Sequence, residues 1–321
     1  MFLGKEAFQA IGDPALAKAV FKKSVGRVEI ETHSYCNRRC SYCPNVVGDR
    51  LGPNLRMDER LYSLIMENLR EIDYGNFFVL SGYNEPLYDR AILDRIAQAR
   101  TAMPTARIMT YTNGDYLSPG YIEELADAGL SYMHISIHLK KGDEFSDIYM
   151  LNRLSEISQR IGIAAKFLQV RPNEYIIAEF PHDKIEIETR AINFWKHGNN
   201  RGKLIEEMAA PAVRTSPCFF PFSHFYVGFS GNIIPCCHIR SDRPEHEPYL
   251  IGNMKDFDTI YQAYTSEAAV GWRRELVHTK PKKTPCDTCT APTINDPNAR
   301  KKFEQAYESF VLEKDPAQLP G

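Results

Sequence analysis

Three cysteines stand close together in the run CNRRCSYC: Cys36, Cys40 and Cys43, separated by three residues and then by two. Thiolates bind soft metals, and a closed structural zinc site takes four ligands in a tetrahedron. Three thiols therefore leave two chemistries open. His33 or a distant cysteine completes a zinc site, or the fourth corner stays free, as in an iron–sulfur cluster whose remaining iron binds something other than protein.

Five more cysteines follow: Cys218, Cys236, Cys237, Cys286 and Cys289. The final CxxC supplies two ligands from one turn, and with Cys218 and either Cys236 or Cys237 it completes a closed four-thiolate set, which by itself is equally a zinc knuckle. Adjacent side chains of an extended segment point to opposite faces, so if Cys236 binds metal, Cys237 aims elsewhere. The plainer alternative packs Cys237 as a small hydrophobe. A thioredoxin-like use of CDTC fails on context, because the motif follows proline in a loop far from any leading βαβ unit.

The chain that must position these groups has 321 residues, 43% apolar and 25% charged, which suits one large or two ordinary domains with a real core. With 39 basic against 41 acidic residues the net charge is −2, so no global field draws it to nucleic acid or an anionic membrane. The expected partner is a small polar molecule, with no nucleic acid and no membrane. The N-terminal run has no signal-peptide pattern, and no stretch approaches the roughly eighteen apolar residues of a membrane span. A cytoplasmic location is expected, where eight cysteines read as metal or redox ligands rather than disulfides.

Strand-like runs alternate with helical ones. RVEIETH (27–33), NFFVLSG (76–82), ARIMTYTNG (106–114), YMHISIH (132–138), IAAKFLQV (163–170) and KIEIETRAI (184–192) read as six strands; helices are expected over 58–72, 88–100, 118–129 and 143–160. Repeated βα units with β-branched strands predict a parallel sheet, here an open, partial (β/α)6 barrel. Chemistry in such folds gathers at the C-terminal ends of the strands. The cysteine loop, GYNEP (82–86), TNG (112–114), SIH (136–138) and QVRPNE (169–174) all fall there. The division expected is a helical extension over 1–24, the barrel over 25–203, a small cysteine-rich α+β module over 204–296 containing a hairpin with a Ser-Gly-Asn turn, and a terminal helix and tail over 297–321.

Taken together, CxxxCxxC with Tyr42 before its last cysteine, GYNEP, TNG and SIH at successive strand ends resemble the radical S-adenosylmethionine (radical SAM) enzymes, over roughly residues 25–200. The resemblance implies a [4Fe–4S] cluster on Cys36, Cys40 and Cys43, whose open iron binds S-adenosyl-L-methionine and cleaves it to a 5′-deoxyadenosyl radical. It places Tyr42 beside the adenine, and Glu85 with the backbone around Gly82 at the amino group. Asn113 and Ser136 fall in the ribose and carboxylate region, and Arg153 pairs with the carboxylate. Asn84 departs from the usual Gly-Gly-Glu-Pro run. His138, Arg171, Glu174 and His224 are further polar candidates, each equally a strand-end or surface residue.

The later cysteines are similar to the truncated SPASM module called twitch, which implies a second, fully ligated [4Fe–4S] cluster on Cys218, Cys236, Cys286 and Cys289. Relatives with this module act on sugars and aminocyclitols. The implied function is hydrogen-atom abstraction from a sugar, aminocyclitol or nucleoside, with net oxidation of an alcohol carbon as the auxiliary cluster accepts an electron, and a flavodoxin or ferredoxin as reductant. Alternatives are an epimerase with Cys237 as hydrogen-atom donor, a peptide-modifying enzyme, and a non-catalytic zinc scaffold.

Overall fold

The computed structural model describes residues 4–48, 50–139 and 142–291, with 301, 305 and 307–309 of the C-terminal segment. Ten strands form one mixed sheet: β1 (Arg27–Ile30), β2 (Phe77–Leu80), β3 (Arg107–Thr112), β4 (Tyr132–Ile137), β5 (Lys166–Arg171), β6 (Tyr175–Glu179), β7 (Glu186–Ile192), β8 (His224–Val227), β9 (Asn232–Ile234) and β10 (Gly252–Asn253). Their order is β10-β9-β8-β1-β2-β3-β4-β7-β6-β5. The six neighbours β8-β1-β2-β3-β4-β7 are all parallel, so their C-terminal ends share one edge.

Helices α1 (Pro14–Ser24), α2 (Glu59–Glu71), α3 (Ile92–Ala102), α4 (Pro119–Asp127) and α5 (Asp147–Ile161) accompany the strands. Local chemistry sets their ends. Asp58, Ser118 and Ser146 each accept a backbone N–H of the first turn, and Gly162 closes α5 at φ 72°. In α2, Tyr62, Ile65, Met66 and Leu69 recur at helical spacing and are buried.

Alternation along the strands decides which residues can do chemistry. Val28 and Ile30 of β1 are wholly buried in the hydrophobic core, as are Met133 and Ile135 of β4. The intervening residues, Arg27 and Glu29 on β1 and Ser136 on β4, face the opposite side and line a cavity.

The topology corrects two readings of the strand pattern. The run 163–170 is not a fifth parallel strand: β5 pairs antiparallel with β6, and β6 pairs antiparallel with β7. Every residue of β5 is exposed. The hairpin turns at Asn173, whose φ of 59° an asparagine tolerates. The sixth parallel strand is instead β8, from the cysteine-rich region, which lies directly against β1 with Arg27 opposite His224 and Ile30 opposite Val227. The expected hairpin is present, Val227 pairing with Ile233 across Gly231 at φ 84°. Two helices, Ile260–Tyr264 and Glu267–Leu276, follow the hairpin in the cysteine-rich region. The terminal helix and tail expected over 297–321 fall mostly outside the described residues. No helix among the described residues is long and apolar enough to cross a membrane.

Candidate active site

A cavity of about 370 Å³ opens among the C-terminal strand ends and extends along the inner face of β1. Cys36, Cys40 and Cys43 line it. Their loop is fixed by backbone bonds: Cys36 N–H to Arg50 O at 3.2 Å, and Cys43 N–H to Cys40 O at 2.9 Å. Burial pushes the Cys36 thiol up to about 12 and the Cys40 thiol higher still. Bound iron reverses that logic, because a coordinating thiol is deprotonated outright. His33 takes no part in this wall; it forms an isolated bridge with Arg56, its ring 6.3 Å from that of Tyr88.

Tyr42 lines the same cavity with its ring stacked on Phe194 at 4.4 Å. Its hydroxyl accepts the Leu139 N–H at 3.0 Å and lies 3.0 Å from His138 Nδ1. Burial lowers His138 to about 3, so the imidazole is neutral and its Nδ1 shares a hydrogen bond with the Tyr42 hydroxyl. His138 thus serves to fix Tyr42.

Glu85 sits at the end of GYNEP and accepts the Asn113 N–H at 2.7 Å, the Leu87 N–H at 3.2 Å and the Thr112 hydroxyl. Burial raises it to about 7 against those bonds. Asn113 also donates to Asn37 at 2.8 Å, which ties TNG to the cysteine loop. Ser136 lines the cavity as expected. Gly82 has no room for a side chain: a Cβ there would lie 2.7 Å from Glu31 Oε1. Asn84 carries two buried amide atoms with no partner. A buried amide is ordinarily satisfied, so an orphaned pair facing a cavity marks a place for a ligand.

Arg153 is not brought to the cavity. Its Nη2 is 3.4 Å from Asp115, and its Nη1 pairs with Glu156 on α5. Arg38, within the cysteine motif itself, lines the wall instead, clamped to Asp115 at 2.7 Å and to His138 O at 3.1 Å. Arg171 and Glu174 form a loose pair, 3.8 Å apart, at the β5–β6 turn, and His224 begins β8; none of the three lines the cavity.

The sequence reading missed several wall residues. Arg201, from the loop that follows the barrel strands, lines the cavity near Cys43 and Cys237 and has a buried Nε with no partner. Arg27, Glu29 and Glu31 all line the cavity from one face of RVEIET. The charge at every second residue was the available signal. Tyr83 donates its hydroxyl to Cys237 O at 2.8 Å, joining the end of β2 to the second cysteine region.

In that region Cys218, Cys236, Cys286 and Cys289 line a separate small hollow with Arg214, while Cys237 belongs to the main cavity. The Asn199 amide lies 3.1 Å from Cys289 Sγ. Among the described residues no three His, Cys, Asp or Glu side chains converge tightly enough to hold one metal ion; the sulfurs surround hollows instead. The two regions are locked together by buried charge. Arg240, 1% exposed, donates to Pro44 O, Asn45 Oδ1 and Gly48 O and pairs with Asp242 at 2.7 Å. Arg50 pairs with Glu31 and, at 3.0 Å, with Asp242.

The chain matches the radical SAM superfamily over residues 30–162 and the SPASM iron–sulfur cluster-binding domain over 218–290. It is 24% identical over 214 residues to the S-adenosyl-L-methionine-dependent 2-deoxy-scyllo-inosamine dehydrogenase of Niallia circulans, covering 67% of this chain and 74% of that one. Against a GTP 3′,8-cyclase of Alkaliphilus metalliredigens it is 26% identical, over 53% of each chain, so it spans about half the length of that relative. Its fold matches the crystal structure of BtrN in complex with AdoMet and 2-DOIA, with a TM-score of 0.60 at 21% identity, over 85% of this chain and 95% of that one. The paired matches bring S-adenosylmethionine on a [4Fe–4S] cluster and an auxiliary cluster, and the thiols and the orphaned Asn84 amide fit such groups. The chain belongs to the radical SAM superfamily and carries a C-terminal SPASM domain.

Proposed function

We propose that this protein oxidises an alcohol carbon of a small amine-bearing polyol, of the aminocyclitol or amino-sugar class, to a ketone. The observation that carries this reading is the two-sided cavity: Cys36, Cys40 and Cys43 line it, and so does Cys237, whose neighbour Cys236 sits with the other four-thiol set. A substrate in that space lies between two redox centres. The relative from Niallia circulans, a dehydrogenase of 2-deoxy-scyllo-inosamine, supports the substrate class.

Cys36, Cys40 and Cys43 would hold the first cluster, Cys218, Cys236, Cys286 and Cys289 the second, and Tyr42, Asn84, Glu85, Asn113 and Ser136 would hold S-adenosylmethionine. When bound, these groups supply hydrogen-atom abstraction from an unactivated carbon and an acceptor for the electron left behind. The protein's own task is position and polarity. The Tyr42–Phe194 stack offers an aromatic face, and Tyr83, Tyr111 and Tyr226 wall the cavity. Arg201 presents its unpartnered Nε–H to a substrate oxygen, which favours loss of the hydroxyl proton. A flavodoxin or ferredoxin would deliver the starting electron.

A second reading, inversion of a carbon with Cys237 donating the hydrogen atom, is favoured by the position of that thiol in the cavity wall. One assay separates the two. Anaerobically reconstituted protein given S-adenosylmethionine, dithionite and 2-deoxy-scyllo-inosamine should release a ketone and 5′-deoxyadenosine in equal amounts. An inverted alcohol carrying deuterium from heavy water would favour the second reading.

A further inference from the structure

Three carboxylates face the cavity, and two are already committed. Glu85 accepts bonds from Asn113, Leu87 and Thr112. Glu31 is paired with Arg50 and accepts the Tyr83 N–H at 2.7 Å. Glu29 accepts no hydrogen bond from the described residues. Its nearest cation is Arg27, whose Nε stands 3.8 Å away, beyond hydrogen-bond distance, and is itself buried without a partner. Arg27 spends Nη2 on the Tyr111 hydroxyl.

This arrangement is unusual for a carboxylate whose side chain is only 14% exposed. Burying an ionised group without hydrogen bonds is unfavourable, and such groups in folded proteins are ordinarily paired. Strand geometry leaves the side chain no alternative direction, because Val28 and Ile30 on either side fill the core on the other face of β1. The charged and titratable groups around it are Arg27 on its own strand, Glu31 just past the end of that strand, Tyr111 on β3, Tyr226 on β8 and Cys237 from the loop after β9, with Arg201 lining the same cavity. None of these completes it.

We propose that Glu29 is the subsite for the protonated amine of the substrate, the ammonium donating to its carboxylate while a neighbouring substrate hydroxyl accepts from Arg27 Nε–H. The carboxylate and the Nε–H, a loose ion pair with no hydrogen bond at either group, match an amine and a hydroxyl on adjacent carbons. This rests on the reading of the substrate as an amino polyol and adds the residue that recognises the amine. A charge-assisted bond of this kind in a desolvated site discriminates strongly against a neutral analogue, whose binding leaves the carboxylate unpaired.

The test is calorimetric binding to cluster-loaded protein saturated with S-adenosylmethionine, using matched pairs: 2-deoxy-scyllo-inosamine against 2-deoxy-scyllo-inositol, and glucosamine against glucose. The amino member of at least one pair should bind about tenfold or more tighter than its hydroxyl counterpart, and N-acetylation should remove the advantage. Glu29→Gln should abolish the preference by weakening the amine while leaving the hydroxyl analogue within about twofold, and Glu29→Asp should keep part of it. Iron content and circular dichroism of the variants report on folding, and the N-acetyl comparison uses the wild-type protein alone. The proposal is overturned if no amino compound binds, if wild type shows no amine preference, or if Glu29→Gln retains it. Preferential amine binding without ketone formation would refute the dehydrogenation and leave the subsite standing.

Discussion

Cys236 and Cys237 are adjacent in the chain and face different spaces: Cys236 shares a hollow with Cys218, Cys286 and Cys289, and Cys237 lines the cavity that also holds Cys36, Cys40 and Cys43. The chain turns here rather than running on as a strand, the Ile239 N–H donating to Cys236 O at 3.2 Å, and this turn, not strand alternation, sends the two thiols into different spaces. Replacing Cys236 by Ala should therefore lower the iron content of reconstituted protein to about half, whereas Cys237→Ala should keep both clusters. Iron and sulfide analysis decides it; equal losses in the two variants would refute the division.

The Arg240 guanidinium holds the backbone just after the cysteine motif from the side of the SPASM domain. Asp242 would keep Arg50, but the Pro44, Asn45 and Gly48 oxygens would lose their buried donor, so Arg240→Met should cost about 1–3 kcal/mol. Denaturant titration should show that loss, accompanied by reduced iron loading of the first site. A variant as stable as wild type would mean that Arg240 does not brace the loop.

Gly82 packs directly over Glu31. Gly82→Ala forces the two apart and should cost about 1–3 kcal/mol, with weaker binding of S-adenosylmethionine and the SPASM-domain cluster intact. Equilibrium dialysis with labelled S-adenosylmethionine measures the change. Undiminished binding would argue against a role for this strand end.

Glu29 contributes a pH dependence of definite sign. Burial raises its carboxyl from 4.5 to about 7, so between those values the folded state binds more protons than the unfolded state, and stability falls as pH rises. Glu29→Gln removes the effect. The variant should gain on wild type by up to about 3 kcal/mol between pH 5 and pH 8, less whatever residual solvation screens. Melting curves without substrate test this, and a constant difference across the range would contradict it.

Short-range motifs were legible because their residues act together: CNRRCSYC, GYNEP and TNG converge on one cavity as the strand-end rule requires. Pairing partners were not, since register is decided by contacts distant in sequence. IAAKFLQV reads as a barrel strand, yet β5 is an exposed hairpin arm, and β8 completes the parallel set from beyond the expected boundary of the barrel. Arg153 fell short for a similar reason: it has the right charge on the right helix, but Asp115 takes it, and Arg38 occupies the wall. Glu29 was visible in the polar alternation of RVEIET, and only the absence of a hydrogen-bond donor to it, which no sequence displays, sets it apart from Glu31.

The central claim is that one iron near Cys36, Cys40 and Cys43 is left by the protein for S-adenosylmethionine. Electron–nuclear double resonance on the reduced wild-type protein with carboxylate-17O-labelled S-adenosylmethionine tests it directly. The account predicts a 17O coupling that disappears in Cys40→Ala; a reduced, iron-loaded protein showing no coupling to the bound label would contradict it.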